Sequence, residues 1–271
     1  MPDGFLCYTK GDAAKNSWMI RHLTERAQHE GLRLRLVFAE DLAKDVGSPK
    51  FVFQRSRRGD LSQKWENQGA RVLNSAQVTG ITNDKYATFC YLNKQNIPTV
   101  ESILFDDLTN LPDEKNPPFL PLIAKPLDGH GGVGVELVNT LDKWAEICRK
   151  KPRPFLAQPV MTVGYDLRVY VLFGQPYAAI LRTSQRDFRS NFSLGGQVRA
   201  VATPADCKAM IAKLQQTMPM DFCGVDFLKD GQGNLKIGEI EDAVGCRMLY
   251  QETNLDIVRD FVAMAAKEIK K

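Results

Sequence analysis

Three carboxylates near the end of the chain have the spacing of a metal–phosphate site. Glu239 and Glu241 are two apart on one predicted strand, so their side chains share a face. Asp226 lies in the preceding apolar run Phe222–Leu228, joined to that strand through Asp230-Gly231-Gln232-Gly233. A four-residue turn there pairs Lys229 with Asn234 and Asp226 with Ile237, setting Asp226 diagonal to Glu239 at about 7–8 Å. Bare carboxylates that close repel one another, and a hard cation removes the repulsion. Magnesium takes one or two carboxylates together with phosphate oxygens, so the cluster reads as an Mg–nucleotide site. The alternative is a solvated acidic hairpin face. Against it stands the cost of an unpaired acid inside an apolar strand.

A phosphate cradle lies upstream. The strand Leu122–Lys125 ends in a lysine and runs into a glycine-rich loop, Gly129-His130-Gly131-Gly132-Val133-Gly134, followed by a second strand to Val138. Glycines allow positive φ and close approach, so successive N–H groups can converge on a phosphate, and Lys125 adds charge to the same place. Gly129, Gly131 and Gly134 match the dinucleotide fingerprint, but that motif needs a helix to follow, and here Val133, Val135 and Leu137 alternate as a strand does. The chain has no P-loop motif and none of the protein-kinase signatures. A nucleotide-covering hairpin of another kind remains, with a tight, ligand-free glycine hairpin as the alternative. Lys85 stands in the first turn of a predicted helix Thr82–Gln95, against the helix dipole, which favours an anion nearby. Arg55, Arg57 and Arg58 follow the third strand, where parallel sheets bind ligands; a solvated basic loop is the other reading.

The elements that must position these groups alternate at first. Gly4–Thr9, Leu32–Leu36, Phe51–Phe53 and Ala70–Leu73 read as strands, with a helix Ala13–Glu30 and a short Asp60-capped helix ending near Gly69 between them, giving a small parallel α/β lobe. Later come a helix Leu141–Lys150, a strand Pro154–Val160 and a hairpin Asp166–Phe173/Pro176–Thr183. A helix opened by Thr203 and a closing helix capped by Asn254 follow. The 271 residues suffice for two or three lobes, and 44% hydrophobic with 25% charged residues is ordinary for a soluble globular protein. A net charge of +4 is too mild to argue for nucleic acid. No apolar run of membrane length and no signal peptide is present, so a cytoplasmic protein is expected. Six scattered cysteines read as reduced thiols, and three histidines make zinc improbable.

Taken together these motifs resemble the ATP-grasp superfamily and, within it, the RimK-type glutamate ligases. The likeness rests on Asp84-Lys85, Lys125–Val135, Asp166-Leu167-Arg168, Asp187-Phe188-Arg189-Ser190-Asn191 with Gly195-Gly196, and Gly224-Val225-Asp226. It implies an α/β (α+β) ATP-grasp fold in which two antiparallel-sheet lobes sandwich ATP. Residues 1–75 would form an N-terminal α/β lobe and 76–271 the ATP-grasp domain, divided near residue 157. The implied enzyme is an ATP-dependent carboxylate–amine ligase working through an acyl phosphate, with an amino acid such as glutamate as one substrate. A nucleotide-binding module or a small-molecule kinase without ligation is the alternative.

The resemblance also implies roles. Lys85, Lys125, Gly131 and Gly132 would meet the phosphates, Gln158, Pro159 and Val160 the adenine, and Asp166 the ribose. Arg189, Asn191 and Lys125 would be catalytic, and Asp226, Glu239 and Glu241 would hold one or two Mg2+, with Mn2+ as a substitute. Arg55, Arg168, Arg182 and Arg247 are the candidate substrate contacts, Arg55 and Arg247 gripping a free carboxylate. Expected partners are a small-molecule acid and amine, an amino acid or peptide, with a protein acceptor and a homo-oligomer both allowed, and neither nucleic acid nor membrane. Two departures stand out. Glu241 and the following Asp242 through Arg247 replace the family's Glu-x-Asn ending and its small-residue loop, and Pro159 replaces an acidic hinge residue.

Overall fold

The computed structural model describes residues 3–42, 47–129, 132–183 and 197–271. The first of these alternate strand and helix: β1 (Asp3–Tyr8), α1 (Lys10–Lys15), α2 (Ser17–His29), β2 (Arg33–Phe38), β3 (Phe51–Gln54), α3 (Gly59–Asn67) and β4 (Arg71–Leu73). The strands form a parallel sheet in the order β2-β1-β3-β4. The single helix expected over Ala13–Glu30 is broken at Asn16, whose backbone leaves the helical region and whose side-chain amide donates to Asp12 O at 2.8 Å. An asparagine that satisfies a carbonyl with its own side chain removes the need to continue the helix.

The helix expected over Thr82–Gln95 is α5 (Lys85–Lys94), and a separate helix absent from the sequence reading, α4 (Ala76–Thr82), precedes it. Asp84 divides them because its carboxylate caps α5, accepting from Tyr86 N at 2.8 Å and Ala87 N at 2.9 Å. Next come β5 (Ile103–Phe105), β6 (Leu122–Pro126), β7 (Glu136–Val138), α6 (Leu141–Lys150) and β8 (Phe155–Pro159). Their antiparallel sheet runs β5-β8-β6-β7 over a core of Phe105, Trp144 and Phe155.

The rest comprises β9 (Tyr165–Leu172), β10 (Gln175–Thr183), β11 (Gln197–Val201), α7 (Ala205–Thr217), β12 (Phe222–Lys229), β13 (Leu235–Glu241), α8 (Arg247–Glu252) and α9 (Ile257–Ile269). The strands form an antiparallel sheet, β11-β10-β9-β12-β13. Two cap assignments from the sequence are corrected. Pro204, with no side-chain cap, precedes α7 in place of Thr203, and Asp256 caps α9 in place of Asn254. Asp256 is fixed there by partners outside α9: it accepts from Tyr250 Oη at 2.6 Å and pairs with Arg26 at 2.8 Å.

The main core crosses lobes. Leu6, Leu23, Phe51 and Phe53 pack with Phe222, Phe261 and Val262, so the parallel sheet shares its apolar face with α9 and the carboxylate hairpin. Asn74 ties the same pieces together. Only 2% exposed, it accepts from Asp221 N and Phe222 N at 2.8 and 2.9 Å and donates to Phe222 O and Asp242 O at 2.9 and 3.1 Å. Both ends of the carboxylate hairpin are therefore anchored to the end of β4. No helix among the described residues is long and apolar enough to cross a membrane.

Candidate active site

A cleft of about 650 Å³ opens between the two antiparallel sheets. Its lining includes apolar Ile123, Val160, Met161 and Leu228 together with the hinge residues Gln158 and Pro159. Gln158 is held by Ser102 Oγ at 2.6 Å, and Thr162 just beyond donates its N–H to Lys229 O at 2.8 Å. The hinge is thus tied to both sheets.

The described part of the glycine loop folds back on its own strand. A Cβ at Gly129 would sit 2.6 Å from Pro126 Cγ and 3.0 Å from Val133 O, so only glycine fits. Two lysines grip the loop's ends. The Lys85 ammonium donates to Gly129 O and, at 3.4 Å, to Leu127 O, while Lys151 donates to Gly134 O at 2.6 Å and pairs with Glu136 at 3.1 Å. Lys85 also lies 3.2 Å from Glu239, which supplies the anion that its place at a helix N-terminus calls for. Lys125, on β6, lines the cleft without an ion-pair partner among the described residues. Burial, with Lys85 nearby, lowers its ammonium to about 8 against the pull of Glu239.

On the carboxylate hairpin the register differs from the one the sequence suggested. Lys229 pairs with Leu235 and Phe227 with Ile237, then a bulge brings Glu239 directly opposite Asp226. The turn is one residue longer than expected because Asp230 Oδ1 accepts from both Gln232 N and Asn234 N, at 2.9 Å each. Gly238 takes up the bulge. Asp226, Glu239 and Glu241 all line the cleft, yet each already has a cation. Arg168 holds Asp226 through two hydrogen bonds of 2.7 Å and reaches Glu241 at 2.9 Å. Arg182 Nη2 stands 2.7 Å from Asp226 and 2.5 Å from Asp166, close in distance but off the hydrogen-bonding angle.

Burial alone would raise Asp226, but Arg168 and Arg182 overcome it and hold its carboxyl well below the usual range. At Asp166 burial wins over Arg182 and the carboxyl rises to about 6. Among the described residues no three His, Cys, Asp or Glu side chains converge as a free metal-holding group. The three carboxylates share a cleft, but in this state they face cations of the chain itself.

The substrate arginines divide. Arg247 lines the cleft and donates to Lys15 O at 3.0 Å, beside Asn16. Arg168 and Arg182, expected as substrate contacts, also line the cleft, and here they pair with carboxylates of the chain. Arg55 is corrected: it is buried away from the cleft, donating to Val244 O at 2.7 Å and covering the Phe222 ring. Its position after β3, inside the shared core, makes it a brace for the segment behind the hairpin. Gly132, Gln158, Pro159, Val160 and Asp166 line the cleft; Gly131, Arg189 and Asn191 lie outside the described residues. Sequence reasoning missed Lys15, Asn16 and Lys151. Lys151 had a signal in its place at the end of an amphipathic helix; the first two had none.

A model of the RimK-like ATP-grasp domain matches residues 82–265. The uncharacterized protein MG011 of Mycoplasma genitalium is 28% identical over 273 residues, covering 97% of this chain and 93% of that protein. A probable alpha-L-glutamate ligase of Pasteurella multocida is 27% identical over 248 residues, 89% of this chain and 77% of its own length. Among solved structures, the ATP-grasp ligase PsnB, complexed with a phosphomimetic variant of its minimal precursor, Mg and ADP, superposes with a TM-score of 0.75. It covers 99% of this chain and 98% of that one at 18% identity, a likeness of fold.

Proposed function

This chain belongs to the RimK-like ATP-grasp family of ATP-dependent carbon–nitrogen ligases, and from that premise we propose that it joins a carboxylate to an amine through an acyl phosphate. The γ-phosphoryl group of ATP passes to the carboxylate oxygen, releasing ADP. The amine lone pair then attacks the acyl carbon, the amine loses a proton and phosphate leaves.

The observation that carries this reading is the set of groups gathered on one cleft: apolar residues with the hinge, Lys125, the three carboxylates, and Arg247 with Lys15. The apolar lining with the hinge suits adenine, and Asp166 the ribose. Lys125, in no ion pair among the described residues, suits phosphate oxygens, and a fixed cation there stabilises charge that grows during transfer. Lys85 and the glycine loop would cover the same phosphates and keep water from the acyl phosphate. Asp226, Glu239 and Glu241 fit magnesium by their chemistry, as hard oxygen ligands, and the ion would add charge against the phosphates. Mn2+ would serve as a substitute. Arg189 and Asn191 keep the phosphoryl role implied by the resemblance.

Arg247 and Lys15 would hold the free carboxylate of an amino acid or peptide. Glutamate is the first candidate, supported by the Pasteurella relative; a peptide acceptor and a cytoplasmic setting complete the proposal. The test is ADP and phosphate release from ATP over a panel of amino acids and short peptides, with the ligated product detected by mass. Turnover that needs both an acid and an amine supports ligation; phosphorylated acid without any amine requirement makes the protein a kinase, and nucleotide binding without turnover makes it a binding module. In an active pair, Arg247→Ala should raise KM for the organic substrate about tenfold and leave KM for ATP unchanged, the loss of one charge-assisted hydrogen bond. Arg55→Ala should leave both KM values in place.

A further inference from the structure

The oxygens that a divalent cation would need are the ones Arg168 occupies. Its Nε and Nη2 each lie 2.7 Å from one oxygen of Asp226, and its Nη1 lies 2.9 Å from Glu241 Oε2. Arg182 adds a second cation, 2.7 Å from Asp226 Oδ2. Both oxygens of Asp226 and one of Glu241 are thereby committed, and Arg168 is only 10% exposed. The fold sets this up. Arg168 on β9 is the direct register partner of Asp226 on β12, which brings the fork of the arginine against the carboxylate. Two residues earlier Gly224 leaves space: a Cβ there would lie 2.6 Å from Val244 Cγ2 and 3.4 Å from Arg168 Nε.

Charge gives the second half of the argument. Among the described residues lining the cleft, Asp166, Asp226, Glu239 and Glu241 face Lys85, Lys125, Arg168 and Arg182, with Lys15 and Arg247 as two further cations. A bare dication entering this site would meet no surplus negative charge and would have to evict an arginine from a buried pair. Nucleotide phosphates bring that missing negative charge and give the evicted guanidinium a new partner.

We propose that Arg168 occupies the metal position of the nucleotide-free site and is displaced when nucleotide arrives, so that a divalent cation binds only together with nucleotide. This rests on the reading of Asp226, Glu239 and Glu241 as the metal's ligands. Arg168 is then a positioning residue that sets the order of binding, beyond any contribution to the fold.

The experiment is Mn2+ binding to the full chain, followed by the paramagnetic resonance signal of free Mn2+, with and without ADP and corrected for the binary Mn2+–ADP complex. The wild-type protein should bind Mn2+ about 100-fold more tightly with ADP than without, a coupling at the upper end of that between two sites. Arg168→Gln should strengthen nucleotide-free Mn2+ binding about tenfold, and Arg168→Lys, which keeps the charge but loses the fork, should give a smaller gain. Equal Mn2+ affinity with and without ADP in the wild type overturns the proposal, as does a folded Arg168→Gln protein with no gain. Should neither variant fold, the wild-type comparison decides. No Mn2+ binding even with ADP would instead overturn the ligand assignment beneath the proposal, and the proposal with it; ligation itself is tested separately by product formation.

Discussion

The two hairpins that contribute to the cleft differ in what holds them. β6–β7 carries its loop on backbone freedom and two lysine heads: Gly129 tolerates no side chain, Lys85 and Lys151 hold carbonyls at the loop's ends, and Val133 near the tip is 74% exposed. β12–β13 is held by buried ion pairs and by Asn74, which spends its full hydrogen-bonding capacity on the hairpin's ends. A lysine–carbonyl bond contributes about 1–3 kcal/mol and is readily exchanged for an anion. Removing one member of a buried ion pair costs about 3–5 kcal/mol. The first hairpin is therefore suited to cover a ligand and the second to hold fixed charges against it.

The strongest way to break this contrast is at Glu239. Glu239→Gln keeps the shape but removes charge opposite Asp226, and ADP formation should fall about a thousandfold while the melting temperature stays close to wild type. Near-normal turnover by a folded variant would sink the metal assignment.

Lys125 comes next, because on β6 it lines the cleft in no ion pair among the described residues. Lys125→Ala should lower kcat about a hundredfold and ATP affinity much less, since the charge matters most as the phosphoryl group moves. A loss in affinity alone would make Lys125 a binding residue only. Its pH dependence sharpens the point. Buried and lowered to about 8, Lys125 is charged below that pH and neutral above it, so kcat/KM for ATP should decline as pH rises through about 8. Asp166, raised to about 6 by burial, sheds its charge as pH falls through about 6 and sets the acid limb. Lys125→Arg should move the alkaline limb upward out of the accessible range, because a guanidinium stays charged; an unmoved limb would assign it to another group.

The smallest effect is expected at Lys151, behind the glycine loop. Lys151→Met removes the hold on Gly134 O and should raise KM for ATP about threefold to fivefold with kcat little changed, the worth of one exchangeable hydrogen bond. A large loss in kcat would show that the loop is fixed as firmly as the carboxylate hairpin.

Much of this was legible in the chain itself. Apolar runs and alternation marked most strands of the three sheets, though not β5 or β11, and the strand-end Lys125, the glycine run and the spacing of Glu239 and Glu241 each follow from short-range pattern. Helix limits were less legible: Asn16 ends α1 and Asp84 opens α5, each through side-chain hydrogen bonds to nearby backbone groups. The bulge at Gly238 was hidden because a one-residue change in the turn leaves the sequence pattern on both strands unaltered.

What the sequence determined, then, is which residues are chemically equipped and which strand or loop carries them, since both depend on neighbours within a few positions. What each arginine faces was decided only by the tertiary structure. Arg55, Arg168, Arg182 and Arg247 are the same side chain, three in or just after strands and one at the start of a helix. Yet one braces a core, two neutralise carboxylates and one lines the cleft against Lys15, 232 positions away. A guanidinium takes whichever oxygen the packing of distant segments brings within about 3 Å, and no local pattern encodes that choice.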